Sequence, residues 1–131
     1  MGGTDKNEKV VFPKLSYEVV GALYEVWNDI GWSHKEKYLE KAVAVAFQRK
    51  GIQFIEQYKV DLKFKDKKVG TYYFDFLVED KIVVELKRRE YFSQHDIKQL
   101  YAYLQSSELK LGILAHFTRD GVKIKRILNI Y

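Results

Sequence analysis

A chain of 131 residues can bury one hydrophobic core but not two, and 47% hydrophobic with 31% charged residues excludes a disordered or fibrous chain. The absence of cysteine excludes disulfides, thiolate zinc sites and a cysteine nucleophile, and the longest apolar stretch, Ala42 to Phe47, is too short to span a membrane. A formal net charge of +5 suits a polyanionic partner, because basic side chains release counterions from phosphates, but ordinary solubility explains it equally well.

The first residues, MGGTDKNEK, are polar and lack the apolar centre of a signal peptide. They predict a disordered leader over residues 1–12 and a single domain over 13–131, and the lack of cysteine fits a cytoplasmic protein. Leu15, Val19, Val20, Leu23, Val26, Trp27 and Ile30 then recur at helical spacing, with Ser16 as candidate N-cap and Gly31 as stop. Gly21 within this helix reads as a point of close helix packing. A second helix is expected over 33–50, where Ser33 and Glu36 have capping-box spacing and Gly51 ends the pattern.

The texture next changes to alternation. Ile52 to Phe64 and Val69 to Val78 predict two strands joined by a turn at Asp66, Lys67 and Lys68. After a second turn at Glu79 to Lys81, the short apolar run Ile82 to Leu86 has the character of a central strand. Helical spacing returns over Ser93 to Gln105, followed by a buried strand, Leu111 to Phe117, a tight turn, and an edge strand, Val122 to Ile127. The order is α-α-β-β-β-α-β-β, which predicts an α/β fold: one mixed sheet flanked by helices. No glycine-rich phosphate cradle is present, so ATP-driven chemistry within this chain is not supported.

The chemistry concentrates in Asp75 and, ten residues later, Glu85, with Lys87 two positions beyond it. Strand side chains alternate, so Glu85 and Lys87 share one side. An antiparallel pairing with the preceding strand brings Asp75 close to Glu85. Two facing carboxylates repel without a cation, and Mg²⁺ or Mn²⁺ suits a site of two carboxylates, waters and a substrate phosphate. The lysine can orient a water or offset charge on the reacting phosphate, which is the arrangement for metal-assisted phosphodiester hydrolysis. An acid-x-Lys triplet by itself carries little, since Asp61, Asp66, Glu79, Asp96 and Glu108 begin others. Only the triplet at Glu85 follows a buried strand with a partner acid on the strand before. From spacing alone, a salt-bridged pair on a strand face is an equal reading.

These segments resemble the GxxExxY family, small proteins of the PD-(D/E)XK nuclease superfamily. The resemblance runs from Leu15 to Asn129 through Val20-Gly21-Ala22, Ile30-Gly31 to Glu36, Asp75-Phe76-Leu77-Val78, Val83-Val84-Glu85-Leu86-Lys87, Gln99-Leu100 and Ile124-Lys125-Arg126. It implies a restriction-endonuclease-like fold and a nuclease acting on nucleic acid, DNA favoured over RNA. Asp75, Glu85 and the backbone carbonyl of Leu86 would hold Mg²⁺ or Mn²⁺, and Lys87 would be the catalytic lysine. Glu36 matches the acid of the family motif, although Ser33 stands where the motif has glycine and Leu39 where it has tyrosine. Glu25 on the first helix is the alternative acid. Gln99 and Tyr103 match a helical Gln-xxx-Tyr signature near the active site and nucleic acid. Small nucleases of this kind act as dimers in many cases, which makes a homodimer an allowed partner.

Blander readings stand beside these. Glu36 fits equally as the capping acid of its own helix, and Gln99 and Tyr103 as ordinary helix residues. Arg88 and Arg89 are candidates for phosphate contact or a solvated strand end, as are Lys123, Lys125 and Arg126 near the C-terminus. His34, His95 and His116 are isolated and form no zinc pattern. Two other functions are consistent with the residues: a catalytically silent nucleic-acid- or partner-binding module, and an accessory subunit of a larger DNA-processing complex.

Overall fold

The computed structural model describes residues 11–130. Most of the expected leader therefore lies outside the described residues, while Val11 and Phe12 already pack against the core. Helix α1 spans Pro13–Ile30 and α2 spans Glu36–Arg49. They are followed by β1 (Phe54–Phe64), β2 (Lys67–Val78), β3 (Ile82–Lys87), α3 (Gln94–Ser107), β4 (Leu111–Thr118) and β5 (Gly121–Leu128). The five strands form one sheet in the order β1-β2-β3-β4-β5, parallel only between β3 and β4 and antiparallel elsewhere. The expected order and mixed sheet are thus present, with β3 central and β5 at an edge.

Two hydrophobic layers sandwich the sheet. Under α1 and α2, Val19, Leu23, Leu39, Val43 and Phe47 meet Phe76, Val84, Leu86, Ile113 and Ala115. Under α3, Leu100, Tyr103 and Leu104 meet Phe74, Leu77, Val83 and Leu114. Gly112 on β4 admits this close approach of α3, because a Cβ there would lie 2.8 Å from Leu100 Cδ2. Side chains also fasten α1 to the far end of the sheet: Tyr24 donates to the Val122 carbonyl and Trp27 Nε1 to the Thr118 carbonyl, each at 2.8 Å.

Helix starts differ from the sequence reading. Pro13 opens α1 behind Phe12, which is in the left-handed region and provides no side-chain cap, so Ser16 is not an N-cap. It is buried in the helix, and its hydroxyl accepts from Arg126 on β5. The second helix begins at Glu36 behind Lys35, again without a side-chain cap, so Ser33 and Glu36 form no capping box. Helix α3 does have a side-chain cap, the Ser93 hydroxyl accepting from His95 N at 3.1 Å and Asp96 N at 3.4 Å. Gly21 makes no close packing contact; the nearest atom to a Cβ built there is Lys50 Nζ at 4.0 Å.

The first hairpin turns at Lys65 and Asp66, both with positive φ (49° and 66°), not at 66–68 as expected. Glu79 and Asp80 make the same kind of turn between β2 and β3 (φ 53° and 57°). Two successive positive φ values twist the chain in the sense that right-handed antiparallel strands need.

Candidate active site

The pairing of β2 with β3 is short, running only from Val78↔Ile82 to Phe76↔Val84. Beyond it, β3 continues beside β4 to Lys87↔His116, while β2 continues beside β1 alone. Side-chain alternation also slips where the strands part. Phe76 and Val78 belong to the layer under α1 and α2, whereas Tyr72 and Phe74 belong to the layer under α3. Asp75 sits at this inversion, and Gln57, its neighbour on β1, has φ 54°. Local irregularity of this sort re-aims a side chain, here from the sheet face toward the seam.

The seam is closed by the acids themselves. Asp75 N donates to Glu85 Oε1 at 2.9 Å, and Leu86 N donates to Asp75 Oδ2 at 2.7 Å. Each carboxylate thus satisfies a backbone N–H that has lost its strand partner. Glu85 also accepts from the Tyr72 hydroxyl at 3.2 Å, and Lys87 Nζ lies 4.0 Å from Glu85 Oε2. Glu85 and Lys87 therefore share a side, as alternation requires.

From the other side, α2 brings two more acids. Glu36 Oε2 accepts from Arg88 N at 2.9 Å, which places this helix start against the end of β3. One turn later, Glu40 accepts from Gln57 Nε2 at 2.9 and 3.0 Å, and the same amide donates to Asp75 Oδ1 at 3.3 Å. Glu25, by contrast, lines a groove between α1 and α2 with Asp29, Val45 and Arg49. Of the two candidate helix acids, Glu36 is the one beside the seam.

Burial pushes the Asp75 carboxyl up to about 7, with repulsion from Glu85 as the next cause and Glu36 adding to it. Burial also raises Glu85, against the lowering effects of the Asp75 N–H and Lys87. Hydrogen bonding to Glu40, then burial, raises Glu56 on β1. The local excess of negative charge is the physical condition that favours a cation. Among the described residues, no three His, Asp or Glu side chains already converge as a closed metal cage. Two carboxylates with open positions nevertheless match the donor set of Mg²⁺, which keeps waters and substrate phosphate as its other ligands. Asp75 and Glu85 fit such an ion.

The remaining expected site residues divide. Arg88 Nη1 donates to the His34 carbonyl and Arg89 Nη1 to Asp96 Oδ2, both at 2.9 Å, so each guanidinium already has a partner within the protein. Tyr103 is a core residue, 8% exposed, its ring 4.7 Å from Phe74 and 6.2 Å from Tyr58. Expected near nucleic acid, it has no free face for a base, because burial under β1 and β2 occupies its ring. Gln99, one turn earlier, is half-buried. Lys123 donates to the Glu90 carbonyl at 3.2 Å and Arg126 reaches Ser16, so neither is an unengaged member of a basic stripe.

Sequence reasoning missed Glu40, Gln57 and Tyr72, and named Asp96 only as the start of an acid-x-Lys triplet and His116 only as an isolated histidine. Glu40 had a signal, since four residues after Glu36 it must share a helix face. Gln57 and Tyr72 had none, because their roles exist only through pairing across strands. His116 is wholly buried against Phe92 with neither ring nitrogen hydrogen-bonded, and burial lowers its affinity for a proton.

Residues 13–127 match the family model of the PD-(D/E)XK nuclease superfamily. The chain belongs to that superfamily. No curated protein matches it. Among solved structures, it is similar to the protein described as "Crystal structure of SSO0001", with a TM-score of 0.52 and 19% identity over 73% of this chain. That likeness concerns the fold, and the chain spans 50% of the length of that protein. No helix among the described residues is long and apolar enough to cross a membrane.

Proposed function

We propose that this chain is a metal-dependent nuclease of the GxxExxY type that hydrolyses phosphodiester bonds, in DNA by preference. The observation that carries the reading is the seam itself: Asp75 and Glu85 cross-bridge β2 and β3 where the strands part, with Lys87 on the side of Glu85. Asp75, Glu85 and the Leu86 carbonyl are the proposed ligands of Mg²⁺ or Mn²⁺. When bound, the ion would neutralise the scissile phosphate and favour deprotonation of the attacking water. Lys87 holds that water or the phosphate oxygen from the open side. Glu36 and Glu40 complete the acidic wall from α2, and Glu40 keeps Asp75 oriented through Gln57. Tyr72 fixes the Glu85 carboxylate, as supporting partners do for ligands elsewhere. The net positive charge of the rest of the chain favours capture of a polyanion.

The test is cleavage of linear, circular and branched DNA and of RNA with Mg²⁺ or Mn²⁺, comparing wild type with Glu85→Ala and Lys87→Ala. Cleavage that requires the metal and is lost in both variants supports the proposal. Full activity in either variant defeats the assignment of residues. Binding of DNA without any cleavage would favour the binding module or the accessory subunit.

A further inference from the structure

The β1–β2 hairpin reaches well past the seam. From Asp61 to Val69 nine consecutive residues are exposed, and no third strand pairs with this part of the ribbon. Lys59, Lys63, Lys65, Lys67 and Lys68 lie on it against Asp61 and Asp66, an excess of +3 out of the chain's +5. Of these, Lys68 is 3.6 Å from Asp61, both largely exposed, and the other lysines have no acidic partner among the described residues. Lysine by itself would be ordinary protection of an edge strand. The apolar side chains argue otherwise, because protection gives no reason to expose them. Leu62, Phe64 and Val69 at the tip are 62%, 64% and 60% exposed. Leu62 and Phe64, two apart on β1, continue outward the row of Tyr58 and Val60 that begins in the α3 layer.

From these observations we infer that the ribbon is a duplex-binding arm, inserted in a groove of double-stranded nucleic acid beside the bond to be cut. The inference deepens the nuclease reading and rests on it for the identity of the substrate. A two-stranded ribbon fits the major groove of B-DNA, where lysines at its edges meet phosphates and apolar side chains meet base edges. From Asp75 to Lys67 the strand runs eight residues, or roughly 26 Å at ~3.3 Å per residue. At ~3.4 Å per base pair, the arm would contact about eight base pairs to one side of the reacting phosphate. Because the strand that bears Asp75 is also the strand of the arm, seating the arm positions the phosphate at the seam.

The test measures binding of a fluorescent duplex without divalent metal over a range of salt concentrations. Wild type is compared with K63Q/K65Q/K67Q/K68Q, with Phe64→Ser, and with a control of equal net charge, K14Q/K50Q/K98Q/K110Q. Removing four phosphate contacts should lower the salt slope by about 3 to 4 and weaken binding at least tenfold at low salt, whereas the control changes little. Phe64→Ser should weaken binding without altering the slope. Equal weakening in the arm variant and the control, or none in either, overturns the arm. So does a wild-type dimer that Phe64→Ser dissociates while duplex binding is unchanged, since the ribbon would then serve a second copy of the chain. Duplex binding through the arm without cleavage would defeat the nuclease reading alone; cleavage with unaltered arm variants would defeat the arm alone.

Discussion

The two halves of β2 have the same secondary structure and opposite physics. From Phe74 to Val78 the strand is lodged between two helical layers, and Phe74, Phe76 and Val78 are at most 2% exposed. From Lys67 to Tyr73 it pairs with β1 alone, and its residues are mostly exposed. The difference arises at the third strand: β3 supports the first half and leaves the second unsupported. The change from buried to exposed sheet falls at Asp75. A carboxylate placed deeper would lack water and metal access, and one placed farther out would lack the burial that raises its proton affinity. The candidate site occupies the boundary because only there are partial desolvation and substrate access both available.

That contrast can be broken at several strengths. Phe74→Ala should destabilise the protein by about 3–5 kcal/mol, measured by urea unfolding, because it empties the space between Tyr72 and Tyr103. A cost below about 1 kcal/mol would mean that the inner half is not packed as described. Next, Lys87→Ala should lower the cleavage rate by about a hundredfold or more, the scale set by loss of one transition-state charge partner, with the fold retained.

Asp75→Asn tests the electrostatics of the boundary through pH. The Asp75 carboxyl is raised from 3.8 to about 7, so below 3.8 it is protonated in both folded and unfolded chains. Between these values the unfolded chain releases the proton and the folded one keeps it. Stability therefore falls as pH rises through this window, and the full cost is present above about pH 7. The substitution should stabilise the protein by roughly 2 kcal/mol at pH 8 and by little at pH 3.5, while abolishing cleavage. Equal gains at both pH values would contradict the raised affinity. Mg²⁺ should raise the thermal midpoint of the wild type at pH 8, and Asp75→Asn should remove that response.

Smaller effects sharpen the picture. Tyr72→Phe removes the hydroxyl bonded to Glu85 and should cost about 1 kcal/mol, with a moderate loss of cleavage. Phe64→Ala, at the outer end of the same hairpin, should change stability by less than about 0.5 kcal/mol because the ring is already in water. A large destabilisation there would show that the distal ribbon is part of the folded core.

Much of this could be read in the chain before any coordinates. The order of elements, the central character of Ile82 to Leu86 and the stop at Gly31 all follow from interactions within a few residues, where periodicity and capping act. The spacing of Asp75, Glu85 and Lys87 was legible for the same reason, since alternation along a strand is local. What required the tertiary structure was every choice among equivalent local signals. Ser16 and Ser33 look like helix caps, but Pro13 and the docking of Glu36 on β3 decide where the helices begin. Glu25 and Glu36 are both helix-borne acids, and only the packing of α2 brings one of them to the seam. Tyr103 has the spacing of a site residue, yet the sheet lies over it and makes it core. The inversion at Asp75, the Glu40–Gln57 bridge and the unsupported half of β2 depend on where β3 ends relative to β2. That relation joins residues distant in the chain, and no pattern confined to one segment can encode it.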